Sequence, residues 1–372
     1  MIYLDYNATT PIDKEVADAM IPYIYDNYGN PSSSHKLGVA NKKAVEQARS
    51  QIAELLNCTV NEITFTSGGS ESNNTVIKGV AYTYRHQGDH IITSQIEHPA
   101  ILNPCNYLER NGYQISYLPV NDNGIVDVSK LNRMITDRTI LVTIMHSNNE
   151  TGAIQPIREI AEICHEHGVL FHTDASQSVG KVPIDVQELG VDFLTIAGHK
   201  LYAPKGIGAL YTRKGVAIES LIHGAGHELG RRAGTENVIF DVALGKACEI
   251  AKRTLQDHTV KELTEYFYTG LKDIFGDQIK LNGDWENRLP NTLNISFIGY
   301  DGSKLLNQLG EDFAASTGSA CHSGVVSISP VLKAMNVPYE IARGAVRFSL
   351  GRYTTKEELD TILAKLKEIH TA

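Results

Sequence analysis

Two stretches decide the fold: Leu170-Phe-His-Thr-Asp-Ala-Ser-Gln177 and, shortly after, Thr195-Ile-Ala-Gly-His-Lys200. Each is a short apolar run of strand character that ends abruptly in reactive polar side chains. The first delivers a carboxylate at Asp174 and an amide at Gln177; the second delivers an amine at Lys200. Neighbouring strands ending this way set an acid and an amine on one rim of a sheet, where open α/β folds bind ligands. An acid beside a Schiff-base lysine is the pair that pyridoxal 5'-phosphate (PLP) requires. The lysine holds the aldehyde, and the acid keeps the ring nitrogen protonated.

Working outward, strand-like runs alternate with helical patterns. Strands are predicted at Ile63–Thr66, His90–Ser94, Gln114–Val120, Thr139–His146, Leu170–Asp174, Asp192–Ile196 and Gly208–Thr212. Helices are predicted at Lys36–Leu56, Ser70–Tyr84, Ile157–His167 and Asp241–Arg253. The alternation predicts an α/β fold with a large, mostly parallel sheet covered on both faces. Only a loop separates the last two strands, so one antiparallel member is expected. Beyond about residue 252 the texture changes. A helix over Leu255–Phe275 precedes strands at Asn291–Phe297, Phe313–Ser316 and Ala345–Leu350. A last helix follows Thr355, with an apolar stripe of Leu359, Ile362, Leu363, Leu366 and Ile369 that reads as core packing. The division expected is a large domain over 13–252 and a smaller α+β domain over 253–372 together with 1–12.

Composition narrows the function. The 372 residues suffice for two domains with a substantial core. The net charge of −9 is spread without a like-charge block, which disfavours nucleic acid as a partner. No apolar run approaches the roughly 18 residues of a membrane span, and the opening Met1-Ile-Tyr-Leu-Asp-Tyr-Asn7 has no secretory pattern, so a cytoplasmic location is expected. Five scattered cysteines form no C-x-x-C pair, so neither a metal site nor a disulfide framework is expected. Cys58, Cys105, Cys164 and Cys248 read as inert core thiols. Cys321 differs: it sits among small residues in Ser316-Thr-Gly-Ser-Ala-Cys-His-Ser-Gly324, which permit the access a nucleophilic thiol needs.

Other segments gain weight from lying after strands. Thr66-Ser-Gly-Gly-Ser70 lets backbone approach an anion at a helix start, with Ser70 adding a hydroxyl; alone it is equally a glycine turn with a serine cap. His98, fixed by Pro99, suits stacking on a flat ring, although a single loop histidine is usually just solvated. Asn148-Asn149 supply amides for a phenolic oxygen, or an ordinary turn. Of two lysines in Gly198-His-Lys-Leu-Tyr-Ala-Pro-Lys205, Lys200 directly follows the strand and is favoured. Arg347, between apolar neighbours, suggests a fork for a carboxylate, or an ion pair with a structural acid.

Assembled, these residues resemble the cysteine desulfurases, PLP enzymes of fold type I within the class-V aminotransferase superfamily. The likeness runs through Tyr3-Leu-Asp-Tyr-Asn-Ala-Thr-Thr-Pro11, Thr66–Asn74, Glu97-His-Pro99, Asn148–Gly152, Asp174–Gln177, Gly198–Lys200, Arg232-Ala-Gly-Thr235, Gly318-Ser-Ala-Cys321 and Arg347–Gly351. It implies that Lys200 carries PLP, that Asp174 pairs with the pyridine nitrogen and that His98 stacks on the ring. Gln177 and Asn149 would address ring substituents. Gly69, Ser70 and His199 would hold the phosphate, with Thr235 reaching in from the second subunit of a homodimer. Arg347, with Asn149, would bind the substrate carboxylate. Cys321 would take sulfur from L-cysteine as a persulfide, releasing L-alanine, for an acceptor or scaffold protein of iron–sulfur assembly. Ala197 stands where many desulfurases carry serine, so one phosphate hydrogen bond is expected to be missing. His322 and Ser329-Pro-Val-Leu332 look more like selenocysteine lyases, which keeps L-selenocysteine open as a substrate. A related aminotransferase or lyase without a thiol step, and a non-catalytic sulfur carrier, are the other readings.

Overall fold

The computed structural model describes residues 1–317 and 328–371. The chain enters through β1 (Ile2–Tyr3) and then lays down β2 (Ile63–Thr66), β3 (His90–Ser94), β4 (Gln114–Leu118), β5 (Thr139–Thr143), β6 (Leu170–Asp174), β7 (Phe193–Ala197) and β8 (Gly208–Thr212). These last seven form one sheet in the order β2-β8-β7-β6-β5-β3-β4. Pairings from β7 through to β4 are parallel, and β8 runs antiparallel to both its neighbours. The turn between the last two strands does reverse the chain, as its length predicts.

Both faces are covered, so adjacent strand residues bury in opposite cores. Ile92, Val142, Phe171 and Leu194 pack with helices Lys36–Leu56, Ile157–Glu166 and Val238–Thr254. Ile91, Leu141 and Phe193 pack with helices Gly69–Thr83 and Pro99–Arg110. Helices Lys36–Leu56 and Val238–Thr254 approach closely at Gly245, where a Cβ would lie 2.5 Å from Ala48 Cα.

A second sheet is antiparallel: β9 (Ile279–Leu281) and β12 (Ala345–Ser349) flank β10 (Thr292–Phe297). Strand β11 (Phe313–Ala314) pairs in parallel with β1, which ties the chain's start to this part of the molecule. Helices Thr259–Phe275 and Lys356–Thr371 cover the sheet around Phe267, Leu271, Phe297, Phe348, Leu359 and Leu366. Leu363 and Ile369 complete the stripe from a partly buried position. Val331, Leu332, Met335 and Ala342 pack instead into the core of the large sheet.

Among the elements that depart from the sequence reading, three show why. Leu255–His258 is not helical, because the helix begins at Thr259, whose N–H and hydroxyl bond Asp257 Oδ1 at 2.9 and 2.6 Å. Lys14–Tyr25 is a helix despite Pro22; only Val16 on it is buried, so it carries no strong apolar stripe. Pro99–Arg110 is also helical, with Pro99 in the first turn, where its missing N–H costs nothing, and Pro104 inside.

Candidate active site

Strand register builds the site. Asp174 at the end of β6 lies opposite Thr195 of β7. Ala197 lies opposite Gly208 of β8, which in turn faces Thr66 of β2. Three aligned strand ends therefore bring Asp174, the turn Gly198–Lys200 and the Gly68-Gly69 turn to one rim. They open on a cavity of about 290 Å³. Gly69, Ser70, His98, Asn149, Asp174, Gln177, His199 and Lys200 all line it, as does Ala197. Lys205 is exposed on the loop beyond and does not line it.

Each group is oriented. Asp174 Oδ2 accepts from Asn73 Nδ2 at 2.7 Å, and its Oδ1 accepts from the Ser176 N–H at 3.0 Å. That fixes the carboxylate plane at the cavity wall. The Lys200 ammonium donates to the carbonyls of Asn7 and Ala8. Burial, reinforced by the positive charge of Arg347, pushes the Lys200 pKa down to about 8, against the pull of Asp174 and Asp5. A usable fraction of this amine is therefore unprotonated at neutral pH. His98 caps helix Pro99–Arg110: its Nδ1 accepts from the Ala100 N–H at 3.1 Å, which leaves the proton on Nε2 in the neutral ring. Burial lowers the pKa of His98, and it lowers His199 to about 4 with help from Lys200 and Lys205, so both rings are neutral.

Gly68 takes φ +145° and starts helix Gly69–Thr83, whose first N–H groups have no helical acceptors. A Cβ on Gly69 would come within 3.1 Å of Ser176 Oγ and 3.4 Å of the Ala197 methyl, so the cradle is already filled to its wall. Ala197 supplies only that methyl. The donor set fits PLP: a carboxylate for the pyridine nitrogen, an amine for the aldehyde, a helix N-terminus with hydroxyls for the phosphate, and a neutral imidazole for the ring face.

Two expected residues stand apart from the cavity. Arg347, on β12, does not line the cavity: Nη2 donates to Asp5 Oδ1 at 2.7 Å and Nη1 to the carbonyl of Asn149 at 3.0 Å. The structural acid foreseen for it is thus Asp5, while its buried Nε has no partner among the described residues. Thr235 is exposed and absent from its own chain's cavity. Cys321 and His322 lie outside the described residues. The other four cysteines are free, and burial pushes the thiols of Cys58 and Cys105 up to about 12.

Sequence reasoning gave no role to Asn7, Asn73 or Ser176. Asn7 is the hub: its carbonyl accepts from Lys200 and from Gln177 Nε2 (2.9 Å), and its amide nitrogen donates to Asn149 O (3.2 Å) and Thr292 Oγ1 (2.8 Å). Asn73, four residues after Gly69, lies one helical turn inside the phosphate helix. That spacing was the available signal for it.

The profile of the family described as Aminotransferase class-V matches residues 2–362. Cysteine desulfurase IscS of Dictyoglomus turgidum is 49% identical over 372 residues, covering 99% of this chain and 94% of that protein. The chain belongs to the cysteine desulfurases of the class-V aminotransferase family. Enzymes of this family depend on PLP, in keeping with the donor set at the rim. Among solved structures, a "NifS-like protein" superposes with a TM-score of 0.93 at 39% identity, covering 100% of this chain and 99% of its own. One described as "SspA in complex with cysteine" gives 0.85 at 37% identity, covering 95% and 100%. Among the described residues no helix is long and apolar enough to cross a membrane.

Proposed function

We propose that the protein removes sulfur from L-cysteine, releasing L-alanine and retaining the sulfur as a persulfide on Cys321, with PLP carried by Lys200. The observation that supports this best is the cavity that brings Lys200, Asp174, His98 and the Gly69 helix start together. Bound there, PLP supplies an electron sink for negative charge developing at the substrate Cα. Asp174, held by Asn73 and Ser176, keeps a fixed carboxylate for the ring nitrogen. Lys200, with a pKa of about 8, takes a proton and returns it at neutral pH. Gly69 and Ser70 present donors to the phosphate, and Gln177 and Asn149 present amides to the ring substituents. Arg347, beside Asn149 and with its Nε unpaired among the described residues, would turn to the substrate carboxylate.

The Cys321 thiolate attacks the substrate sulfur. The S–S bond forms as the Cβ–S bond breaks, the electron pair stays on Cβ, and protonation gives alanine. The chain carrying Cys321 leaves from beside Arg347, since Ser316 and Arg347 exchange backbone hydrogen bonds at 3.2 and 2.7 Å. The persulfide then passes to the thiol of an acceptor or scaffold protein. We place the enzyme in the cytoplasm, where a reducing pool keeps such thiols available. A second copy of the chain brings its Thr235 to the phosphate, which accounts for the exposure of that residue here.

Purified protein loaded with PLP is incubated with L-cysteine and a thiol acceptor, and alanine is measured. The expected result is alanine formed in step with persulfide, and a loss of about 10²-fold or more in Cys321→Ala with the near-visible cofactor band intact. Undiminished turnover of cysteine by Cys321→Ala would contradict the thiol step. Turnover of L-selenocysteine alone would reassign the substrate.

A further inference from the structure

Lys181 is a half-buried lysine that the reaction above does not use. It follows Gly180, whose φ of +78° turns the chain beside Leu201. Its Nζ donates to Gln177 Oε1 at 3.1 Å, four residues back, and to Asn7 Oδ1 at 3.0 Å. Both acceptors are neutral, and among the described residues no carboxylate lies within ion-pair range of it. Burial, with Lys200 and Arg347 nearby, drives its pKa well below the ordinary lysine value. An amine without a carboxylate partner, held by two specific acceptors, has a geometry that calls for an explanation.

The two acceptors differ in how much they need it. Asn7 is saturated without Lys181: its Oδ1 also accepts from Asn291 Nδ2 at 3.1 Å, and its Nδ2 donates twice. Gln177 is not, because Lys181 is the sole partner of its Oε1 among the described residues. A glutamine amide is almost symmetric in shape, so only its partners decide which end points where. The Asn7 carbonyl can only accept, and Lys181 donates an N–H to the other end, so the two partners together turn the Gln177 oxygen toward Lys181. The nitrogen then faces the other way, one N–H bonded to Asn7 O and the second left for the cavity that Gln177 lines.

We infer that Lys181 is a positioning residue for the cofactor site: it fixes the Gln177 amide so that an N–H, and not a carbonyl, meets the phenolic oxygen of the PLP ring. The inference rests on the PLP reading above and assigns a residue to it. A donor there takes up the charge of the phenolic oxygen that would otherwise stabilise a protonated Lys200 nitrogen joined to the cofactor, and so lowers the pKa of that nitrogen. The charges facing this nitrogen are Asp174 from β6, Arg347 from β12, Asp5 from the N-terminal segment, and Lys181; His98 and His199 are neutral. Behind Lys181 lies a second cavity of about 390 Å³, with Tyr202, Trp285 and Arg288 on its wall, so a bulkier cation fits at this position.

The test is a pH titration of the near-visible absorption of PLP-loaded protein, together with the PLP dissociation constant, for wild type, Lys181→Met, Lys181→Arg, Gln177→Ala and the double variant Lys181→Met/Gln177→Ala. Lys181→Met is expected to raise the midpoint by about one unit and weaken PLP by about tenfold, the size of one lost charge-assisted hydrogen bond. Lys181→Arg is expected to restore most of both. In the Gln177→Ala background, Lys181→Met is expected to add little, because its effect passes through the amide. An unmoved midpoint in Lys181→Met, or full additivity in the double variant, overturns the inference. If Lys181→Met does not fold, Lys181→Gln takes its place with the same expected shift. A wild type that develops no near-visible band with PLP removes the activity reading and this inference with it. A normal band with an indifferent Lys181 removes only the role of Lys181.

Discussion

The rim of the large sheet and the core of the small one are both buried, with opposite contents. Around β10 and β12 the interior is aromatic and aliphatic: Phe267 and Phe348 meet edge to face at 5.2 Å, as do Phe275 and Phe297 at 5.0 Å. On that helix-covered face shape alone satisfies the packing, while the opposite face of the same strands carries the hydrogen-bonded Thr292, Asn294 and Arg347. At the rim, Asn7, Asn73, Asp174 and Gln177 are all buried, and each is held by directional bonds to a partner distant in sequence. Burial of the first kind supplies stability. Burial of the second kind orients chemistry, and the two should separate under mutation.

The largest separation is expected at Lys200. Among the described residues its ammonium bonds only two backbone carbonyls, so Lys200→Ala should fold with a nearly unchanged Tm. Turnover of cysteine should fall by about 10³-fold or more, checked by alanine release. Phe267→Ala should do the reverse: destabilisation by about 3–5 kcal/mol in chemical unfolding, with the cofactor band per folded molecule unchanged. A normal rate in the first variant, or an altered band in the second, would merge the two regions and break the comparison.

Glu97, immediately before His98, sharpens it. The carboxyl is fully enclosed, accepts from Ser94 Oγ at 2.6 Å and the Met145 N–H at 2.9 Å, and burial raises its pKa to about 8. The folded protein thus keeps a proton that the unfolded chain releases from about pH 4.5, so this group's contribution to stability should fall as pH rises from about 4.5 and level off above about 8. Glu97→Gln, which mimics the protonated form and does not titrate, should be close to neutral near pH 4.5, more stable than wild type at pH 7, and should remove that decline, read by denaturant titrations between pH 4.5 and 9. The smallest effect is expected at Ala197, whose methyl faces the phosphate cradle. Ala197→Ser should tighten PLP by a few fold, about one modest hydrogen bond, measured by the rate of PLP loss on dialysis.

What was legible in the sequence was whatever ended a strand. Asp174, Lys200, His98 and Gly69 each close an apolar run or follow it within a few residues, and the sheet sets those ends side by side. Arg347 was half legible: its place on a strand was plain, but its pairing with Asp5 depends on the chain's first residues returning to β11 and β12. Asn7 and Asn73 were illegible as site residues because their partners are long-range, 193 residues away for Asn7 and Lys200 and 101 for Asn73 and Asp174. Lys181 was hidden for a related reason, since its meaning lies in which end of a glutamine it selects. Helix Lys14–Tyr25 escaped notice because it buries so little that no periodic stripe marks it.

The central claim is that Lys200, opposite Asp174, is the residue that carries the cofactor. Protein saturated with PLP is reduced with borohydride, digested, and the modified peptide sequenced by mass spectrometry. The account predicts one phosphopyridoxyl group, on Lys200. Label on Lys205 or Lys181 with Lys200 unmodified, or no label at all, would contradict it.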